Sequence, residues 1–134
     1  MTKILVAADA QWVRDQVRTA LVGAGTEVVE VTRGQDVRPT VAREALDLVV
    51  LDLQIANMGG IAVAIDLHLE AAAGRIPDLP ILLLLDREAD RFLAKRADAD
   101  AELLKPTDAG TLRRTARQLL AARASTPEAD TGDG

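Results

Sequence analysis

The chain has 134 residues, 49% of them hydrophobic and 1% aromatic, and its formal net charge is −5. That length fits one domain with a core of its own, and the apolar content excludes disorder for most of the chain. The acidic balance disfavours direct binding to nucleic acid, which needs a basic surface. Because the chain has no cysteine, disulfides and thiolate metal sites are excluded as well.

No apolar stretch reaches the roughly 18 residues that a membrane span needs. The first four residues run directly into a predicted strand, which leaves no room for a signal peptide at this end. We therefore expect a cytoplasmic protein without a membrane segment.

Apolar segments alternate along the chain with amphipathic ones. We interpret the apolar segments as five strands over residues 4–7, 28–31, 48–51, 81–85 and 103–104. The intervening segments predict helices over residues 10–24, 34–45, 61–73 and 88–98, and a last helix capped by Asp108. Pro, Asp, Thr and Gly dominate the end of the chain, so we predict one domain over residues 1–123 and a disordered acidic tail over residues 124–134.

This alternation predicts an α/β three-layer sandwich around a five-stranded parallel sheet. The segments 48–51 and 81–85 are apolar throughout, which is typical of strands buried on both faces. Right-handed crossovers allow few strand orders. The flavodoxin-like order 2-1-3-4-5 fits best, because it places strands 1 and 3 side by side in the sheet.

Ionisable residues follow three of the predicted strands. Asp9 comes after strand 1, Asp52 ends strand 3 and Lys105 follows strand 5. Ligands collect at the carboxyl ends of the strands in an open parallel sheet, so we expect these three side chains to form one site. An alternative for Asp9 is that it serves only as the N-cap of the first helix.

Several further landmarks occur in a fixed order along the chain. They are residues 3–6 followed by Asp9, Asp52 followed by Met58 and Gly60, Pro80 at the start of strand 4, and Lys105 followed by Pro106. In this order and spacing, residues 2–122 resemble the receiver domain of two-component response regulators.

The resemblance implies that Asp52 accepts a phosphoryl group with the help of Mg²⁺. The protein ligands of the metal would be Asp9, Asp52 and the backbone carbonyl of Gln54, which are the hard oxygen donors that Mg²⁺ prefers. Lys105 would be the cation facing the phosphoryl group. The peptide bond between Lys105 and Pro106 would be cis, as is usual in the family.

The resemblance also implies partners and a mode of action. A histidine kinase or a phosphotransfer protein would supply the phosphoryl group. Signal transduction would then follow from binding to a downstream target protein, or from a homodimer through helix 4, strand 5 and helix 5, and not from enzymatic turnover.

Four of the departures from the family pattern concern the site and its relay to the surface. Ala8 replaces an acid that often holds the metal through water, and such losses cost about 10–100-fold in metal affinity. Leu85 replaces a Thr or Ser that donates to the phosphoryl group, and Glu102 replaces an aromatic switch residue in strand 5. Asp86 stands where a small residue is usual; we expect it to cap helix 4, or to repel a phosphoryl group if it points inward.

Two functions stay open at this point. One is a stand-alone receiver that is phosphorylated on Asp52, since little of the sequence follows the last predicted helix. The other is a phosphorylation-independent pseudo-receiver, which binds partners through the same scaffold. A flavodoxin-like cofactor binder or small hydrolase is disfavoured, because the chain lacks aromatics to stack a flavin and any glycine-rich phosphate loop.

Overall fold

The computed structural model describes residues 1–125. Within them, five parallel strands form a sheet in the order β2-β1-β3-β4-β5, which confirms the predicted flavodoxin-like fold. The strands β1 to β5 are Thr2–Ala7, Thr26–Val31, Leu48–Asp52, Ile81–Leu85 and Ala101–Leu104. The helices α1 to α5 are Gln11–Leu21, Val37–Arg43, Gly60–Ala72, Arg91–Arg96 and Ala109–Ser125.

Both faces of the sheet carry a core, because successive side chains of a strand point to opposite faces. On β1, Ile4 and Val6 belong to the core under α1 and α5, whereas Leu5 and Ala7 belong to the core under α2, α3 and α4. Every residue of β3 and β4 is buried. Those two strands therefore lie between helices on both sides, as their continuous apolar sequences predict.

Helix α1 shows how an amphipathic stripe attaches a helix to this sheet. Val13 and Val17 are fully buried under it, as predicted, and Leu21 is partly buried. The helix ends at Leu21 and not at residue 24, because Val22 is already extended. The chain then turns through Gly25, whose φ of 81° favours glycine.

Two of the predicted helices are shorter than expected and begin with a 3₁₀ turn. Gly34–Asp36 precedes α2, and Glu88–Asp90 precedes α4. Helix α4 stops at Arg96, and Asp98 beyond it adopts a left-handed φ of 61° that carries the chain into β5. The elements are thus of the predicted type, with different ends.

The last helix begins as predicted, because the backbone N–H of Thr111 donates to Asp108 Oδ1 over 2.7 Å. It continues to Ser125, so residues 124 and 125 of the predicted tail are helical. The other tail residues, 126–134, lie outside the described residues. Neither this helix nor any other within residues 1–125 is long and apolar enough to cross a membrane.

Candidate functional site

The candidate site lies at the carboxyl edge of the sheet, where β3 ends in Asp52. The side chain of Asp52 is only 1% exposed, and that of Lys105 is 6% exposed. Lys105 Nζ donates to Asp52 Oδ1, so the two groups form a buried ion pair. The structure therefore brings together two of the predicted site residues, which are far apart in sequence and lie at the ends of two strands separated by β4.

The backbone after β5 positions Lys105. Its N–H donates to the carbonyl of Leu85 over 2.8 Å, which extends the pairing of β4 with β5 by one residue. The peptide bond between Lys105 and Pro106 is cis, as predicted. The Lys105 ammonium reaches across β4 to Asp52 at the end of β3.

The loop after β3 is packed closely against Asp52. The N–H of Gln54 donates to Asp52 Oδ1 over 3.3 Å, and the N–H of Gly60 donates to the carbonyl of Leu53 over 3.1 Å. A Cβ on Gly60 would lie 2.4 Å from the carbonyl oxygen of Asp52. Glycine is therefore required at position 60 so that α3 can start against the end of β3.

Asp86 belongs to this site, and the prediction that it caps helix 4 is wrong. Its Oδ1 lies 3.0 Å from Lys105 Nζ, and its Oδ2 accepts a hydrogen bond of 3.2 Å from Gln54 Nε2. The capping role falls to Asp90, whose Oδ2 accepts from the N–H groups of Asp86 and Arg87. The signal that could have found Asp86 is its place directly after β4, since the same rule singled out Asp9 and Asp52.

Asp9 is located at the same edge but stands apart from these contacts. Ala7 pairs with Leu51, so the ends of β1 and β3 are adjacent. The Asp9 side chain is exposed, and the N-cap position of α1 is Ala10, without a side-chain cap, so Asp9 does not cap that helix. Within residues 1–125 it makes no side-chain hydrogen bond or ion pair, and no three acidic, His or Cys residues there are grouped to hold a metal.

An arginine fixes the loop that carries Asp9. Arg14 Nη1 donates to the carbonyls of Ala8 and Asp9, over 2.8 Å in each case. Its Nε donates to Glu30 on the edge strand β2 over 3.2 Å. The β1–α1 loop is thus held through its backbone, and the Asp9 carboxylate takes no part in these bonds.

The two carboxylates that share Lys105 have opposite electrostatic environments. Burial raises the pKa of Asp52, and the hydrogen bond and charge of Lys105 only partly oppose that effect. Burial also acts to raise the pKa of Asp86, but hydrogen bonds from Lys105 and Gln54 outweigh it and leave that pKa below its usual value. One ammonium is therefore paired with a buried carboxylate and a partly exposed one, whose side chain is 37% exposed.

The remaining departures from the family pattern are built into the packing. Ala8 is fully buried in the core under α1 and α5, and Leu85 is fully buried in the core under α2, α3 and α4. Glu102 on β5 forms an ion pair of 3.0 Å with Arg91 on α4. Arg91 also pairs with Glu88 over 2.5 Å. An ionic link between α4 and β5 thus occupies the position of the expected aromatic residue.

Comparison with known proteins identifies the class to which this fold and site belong. Residues 4–117 match the family model of the response regulator receiver domain. The chain therefore belongs to the response regulator receiver domains, which are signalling domains of two-component systems and not classical enzymes.

Individual relatives agree with this assignment. The chain is 33% identical over 132 residues to the KDP operon transcriptional regulatory protein KdpE of Escherichia coli strain K12, covering 97% of this chain and 56% of that protein. It is 32% identical over 133 residues to the response regulator MprA of Mycolicibacterium vanbaalenii, covering 98% of this chain and 54% of MprA. The chain thus spans about half the length of these curated relatives.

Solved structures agree as well. The BeF3-activated N-terminal receiver domain of Klebsiella pneumoniae RstA is similar with a TM-score of 0.76 and 28% identity, over 89% of this chain and 98% of that one. The receiver domain of the Francisella response regulator 1452 has a TM-score of 0.80 at 18% identity, over 92% of this chain and 99% of that one. At that identity, the second likeness shows the fold alone.

Proposed function

We propose that this domain accepts a phosphoryl group on Asp52 and changes its binding to other proteins as a result. The observation that carries the proposal is the buried ion pair between Asp52 and Lys105 at the carboxyl edge of the sheet. Asp52 Oδ1 accepts from both Lys105 and the N–H of Gln54. Within the described residues Oδ2 makes no hydrogen bond, and it is the oxygen that we expect to attack phosphorus.

The chemistry is a displacement at phosphorus. With a phosphohistidine donor, the bond from Asp52 Oδ2 to phosphorus forms as the P–N bond breaks, and the imidazole leaves with the electron pair of that bond. Catalysis of such transfers rests almost entirely on positioning and on stabilising charge. Lys105 supplies a fixed positive charge for the phosphoryl oxygens, because its ammonium already lies against the nucleophile.

Mg²⁺ would be held by Asp9, Asp52 and the backbone carbonyl of Gln54. These donors suit the ion in kind, since all are hard oxygens, and Mg²⁺ usually binds through only one or two carboxylates and keeps several waters. When bound, the ion supplies positive charge that reduces repulsion between the carboxylates and the incoming phosphoryl group. The buried Ala8 contributes no second acid after β1, so we expect the affinity for Mg²⁺ to be weakened.

The proposed partners follow from the family. A histidine kinase or a phosphotransfer protein would donate the phosphoryl group, and a downstream protein would read the surface of α4, β5 and α5, or a second copy would pair with it. A cytoplasmic location and a stand-alone arrangement stay predictions, because the matched relatives extend well beyond the region that this chain covers.

The second candidate is a pseudo-receiver whose binding does not depend on phosphorylation. Two observations favour it. Leu85 is fully buried in the core and cannot donate a hydrogen bond to a phosphoryl group. The ion pair between Arg91 and Glu102 connects α4 to β5. In the family pattern this position holds an aromatic switch residue, which would have to move to relay phosphorylation.

Labelling with a small phosphodonor tests the choice between the two candidates. We expect Mg²⁺-dependent incorporation into the wild type and none into Asp52→Asn, which keeps the shape of the side chain and removes the nucleophile. Equal or absent incorporation in both proteins would refute phosphorylation of Asp52. The pseudo-receiver predicts instead that Asp52→Asn leaves partner binding unchanged.

Trp12 offers a second readout. It is the sole tryptophan, lies on α1 three residues after Asp9, and is 53% exposed. Its emission should change when Mg²⁺ binds, and change again when beryllofluoride, a phosphoryl mimic, is added. A flat titration would favour the pseudo-receiver.

A further inference from the structure

Asp86 closes a ring of interactions over the nucleophile. Lys105 Nζ contacts Asp52 Oδ1 and Asp86 Oδ1, Gln54 Nε2 donates to Asp86 Oδ2, and the N–H of Gln54 donates to Asp52 Oδ1. The ring connects the loops that follow β3, β4 and β5. The Asp86 carboxylate thus contacts both donors that face it, the ammonium of Lys105 and the side-chain amide of Gln54.

The position of Asp86 is fixed by its backbone as well as by its side chain. Asp90 is only 2% exposed, and its Oδ2 accepts from the N–H of Asp86 over 3.2 Å and from the N–H of Arg87 over 3.0 Å. Asp86 is therefore held at the end of β4 with its carboxylate directed at Lys105. The partly exposed side chain thus reaches Lys105 from a backbone that is held in place by Asp90.

An incoming phosphoryl group would meet this arrangement before it reached Asp52. It is an anion, and the cation that it needs is already paired with two carboxylates. To pair with Lys105, it must displace Asp86, and it must also approach the charge of Asp86. Both effects oppose transfer to Asp52. Removal of the charge at position 86 abolishes the repulsion and weakens the contact that must be displaced.

We propose that Asp86 is an internal brake on phosphoryl transfer: it holds Lys105 in the resting site and must release it before the ammonium can pair with a phosphoryl group. This inference rests on the proposed function of Asp52. Asp86 acts through Lys105 and is a positioning residue. In this chain, the resting site therefore favours the unphosphorylated state more strongly than the ion pair of Asp52 with Lys105 alone would.

Asp86→Asn tests the brake, because asparagine keeps the size and the acceptor oxygen and removes the charge. Asp78→Asn is the matched control: it makes the same change in net charge at an exposed loop residue before β4, at the opposite edge of the sheet. Asp86→Ser is a second variant in case asparagine folds poorly. The readouts are the initial rate of labelling by acetyl phosphate with Mg²⁺, and the affinity for beryllofluoride measured by calorimetry.

We expect Asp86→Asn to raise both the labelling rate and the affinity for beryllofluoride about tenfold, the order expected for one like charge removed from a partly exposed site. Asp78→Asn should match the wild type. A purely structural role for Asp86 predicts the opposite sign, since loss of site geometry would lower the rate together with the melting temperature.

The outcomes separate the brake from the proposed function. Faster labelling of Asp86→Asn than of the wild type, with Asp78→Asn unchanged, supports the brake. If the wild type is labelled and neither position-86 variant is faster, the brake is overturned and phosphorylation of Asp52 stands. If none of the folded proteins is labelled, both are overturned.

Discussion

Gly60→Ala is the substitution whose effect the structure defines most sharply. A Cβ at this position would lie 2.4 Å from the carbonyl oxygen of Asp52 and 3.0 Å from the Cα of Leu53. The optimal separation of non-bonded carbon atoms is about 3.5–4.0 Å. These nearest neighbours are all backbone atoms, so no side chain can rotate away, and α3 must shift against β3.

The expected cost is about 2 kcal/mol. Overpacking of this kind typically costs about 1–3 kcal/mol. Alanine also lowers the conformational entropy of the unfolded state, which offsets only about 0.5 kcal/mol of this cost. Gly59→Ala is the matched control, since its Cβ would meet nothing closer than 3.7 Å and its φ of −61° suits alanine. We expect that variant to lie within about 0.5 kcal/mol of the wild type.

Urea unfolding of the three proteins measures these free energies directly. In a domain of this size, about 2 kcal/mol should also lower the melting temperature by roughly 6–10 °C. Because the displaced atoms belong to Asp52 and Leu53, Gly60→Ala should also slow phosphoryl acceptance, whereas Gly59→Ala should not. If the two alanine variants proved equally stable, the close approach of α3 to β3 would be refuted.

Three further predictions concern the charges. Asp52→Asn should raise the free energy of unfolding at pH 7, because burial raises the pKa of this carboxyl and Lys105 keeps Asp86 as a partner. Because the pKa of Asp52 is raised on folding, its charged form lowers the free energy of unfolding above the folded-state pKa, and has no such effect below the unfolded value near 3.8. The extra stability of Asp52→Asn should therefore fade between pH 7 and pH 4 in denaturant titrations. Extra stability that grows as the pH falls would contradict this. A double-mutant cycle on Arg91 and Glu102 should give a favourable coupling that shrinks in high salt, and zero coupling at low salt would show that the pair does not link α4 to β5. Asp108→Ala should lower the melting temperature by a few degrees through loss of the α5 cap, and an unchanged melting curve would contradict that role.

The fold could be predicted because two simple patterns agree. Fully apolar segments such as residues 48–51 and 81–85 indicate strands buried on both faces. Helices between such strands force a parallel sheet with few possible orders. The same reasoning predicted that Asp52 and Lys105 would meet, since carboxyl ends of parallel strands share one edge.

The contact of Asp86 with Lys105 could not be predicted in this way, because either Asp86 or Asp90 could have capped the start of α4. Asp86 and Asp90 both lie near the start of α4, and either could accept from the free N–H groups there. In the structure the later acid turns back onto the N–H groups of Asp86 and Arg87. That frees the side chain of Asp86 for Lys105, a choice that depends on loop conformation and not on local sequence.

The contacts of Asp9 also lay beyond prediction from sequence. The strand-end rule located Asp9 at the correct edge, next to β3. It carried no information on the contacts of the side chain, nor on the hydrogen bonds from Arg14 that hold the backbone carbonyls of Ala8 and Asp9. Strand order fixes neighbouring loops, whereas side-chain direction within a loop is set by tertiary hydrogen bonds.

The central claim is that Asp52 is the residue that receives the phosphoryl group, and it is tested most directly by mapping the modified residue. The protein would be incubated with Mg²⁺ and acetyl phosphate, reduced with borohydride to convert an acyl phosphate to homoserine, and sequenced by mass spectrometry. We predict homoserine at position 52, dependent on both Mg²⁺ and donor. Homoserine at another carboxylate, or at none, would contradict the account.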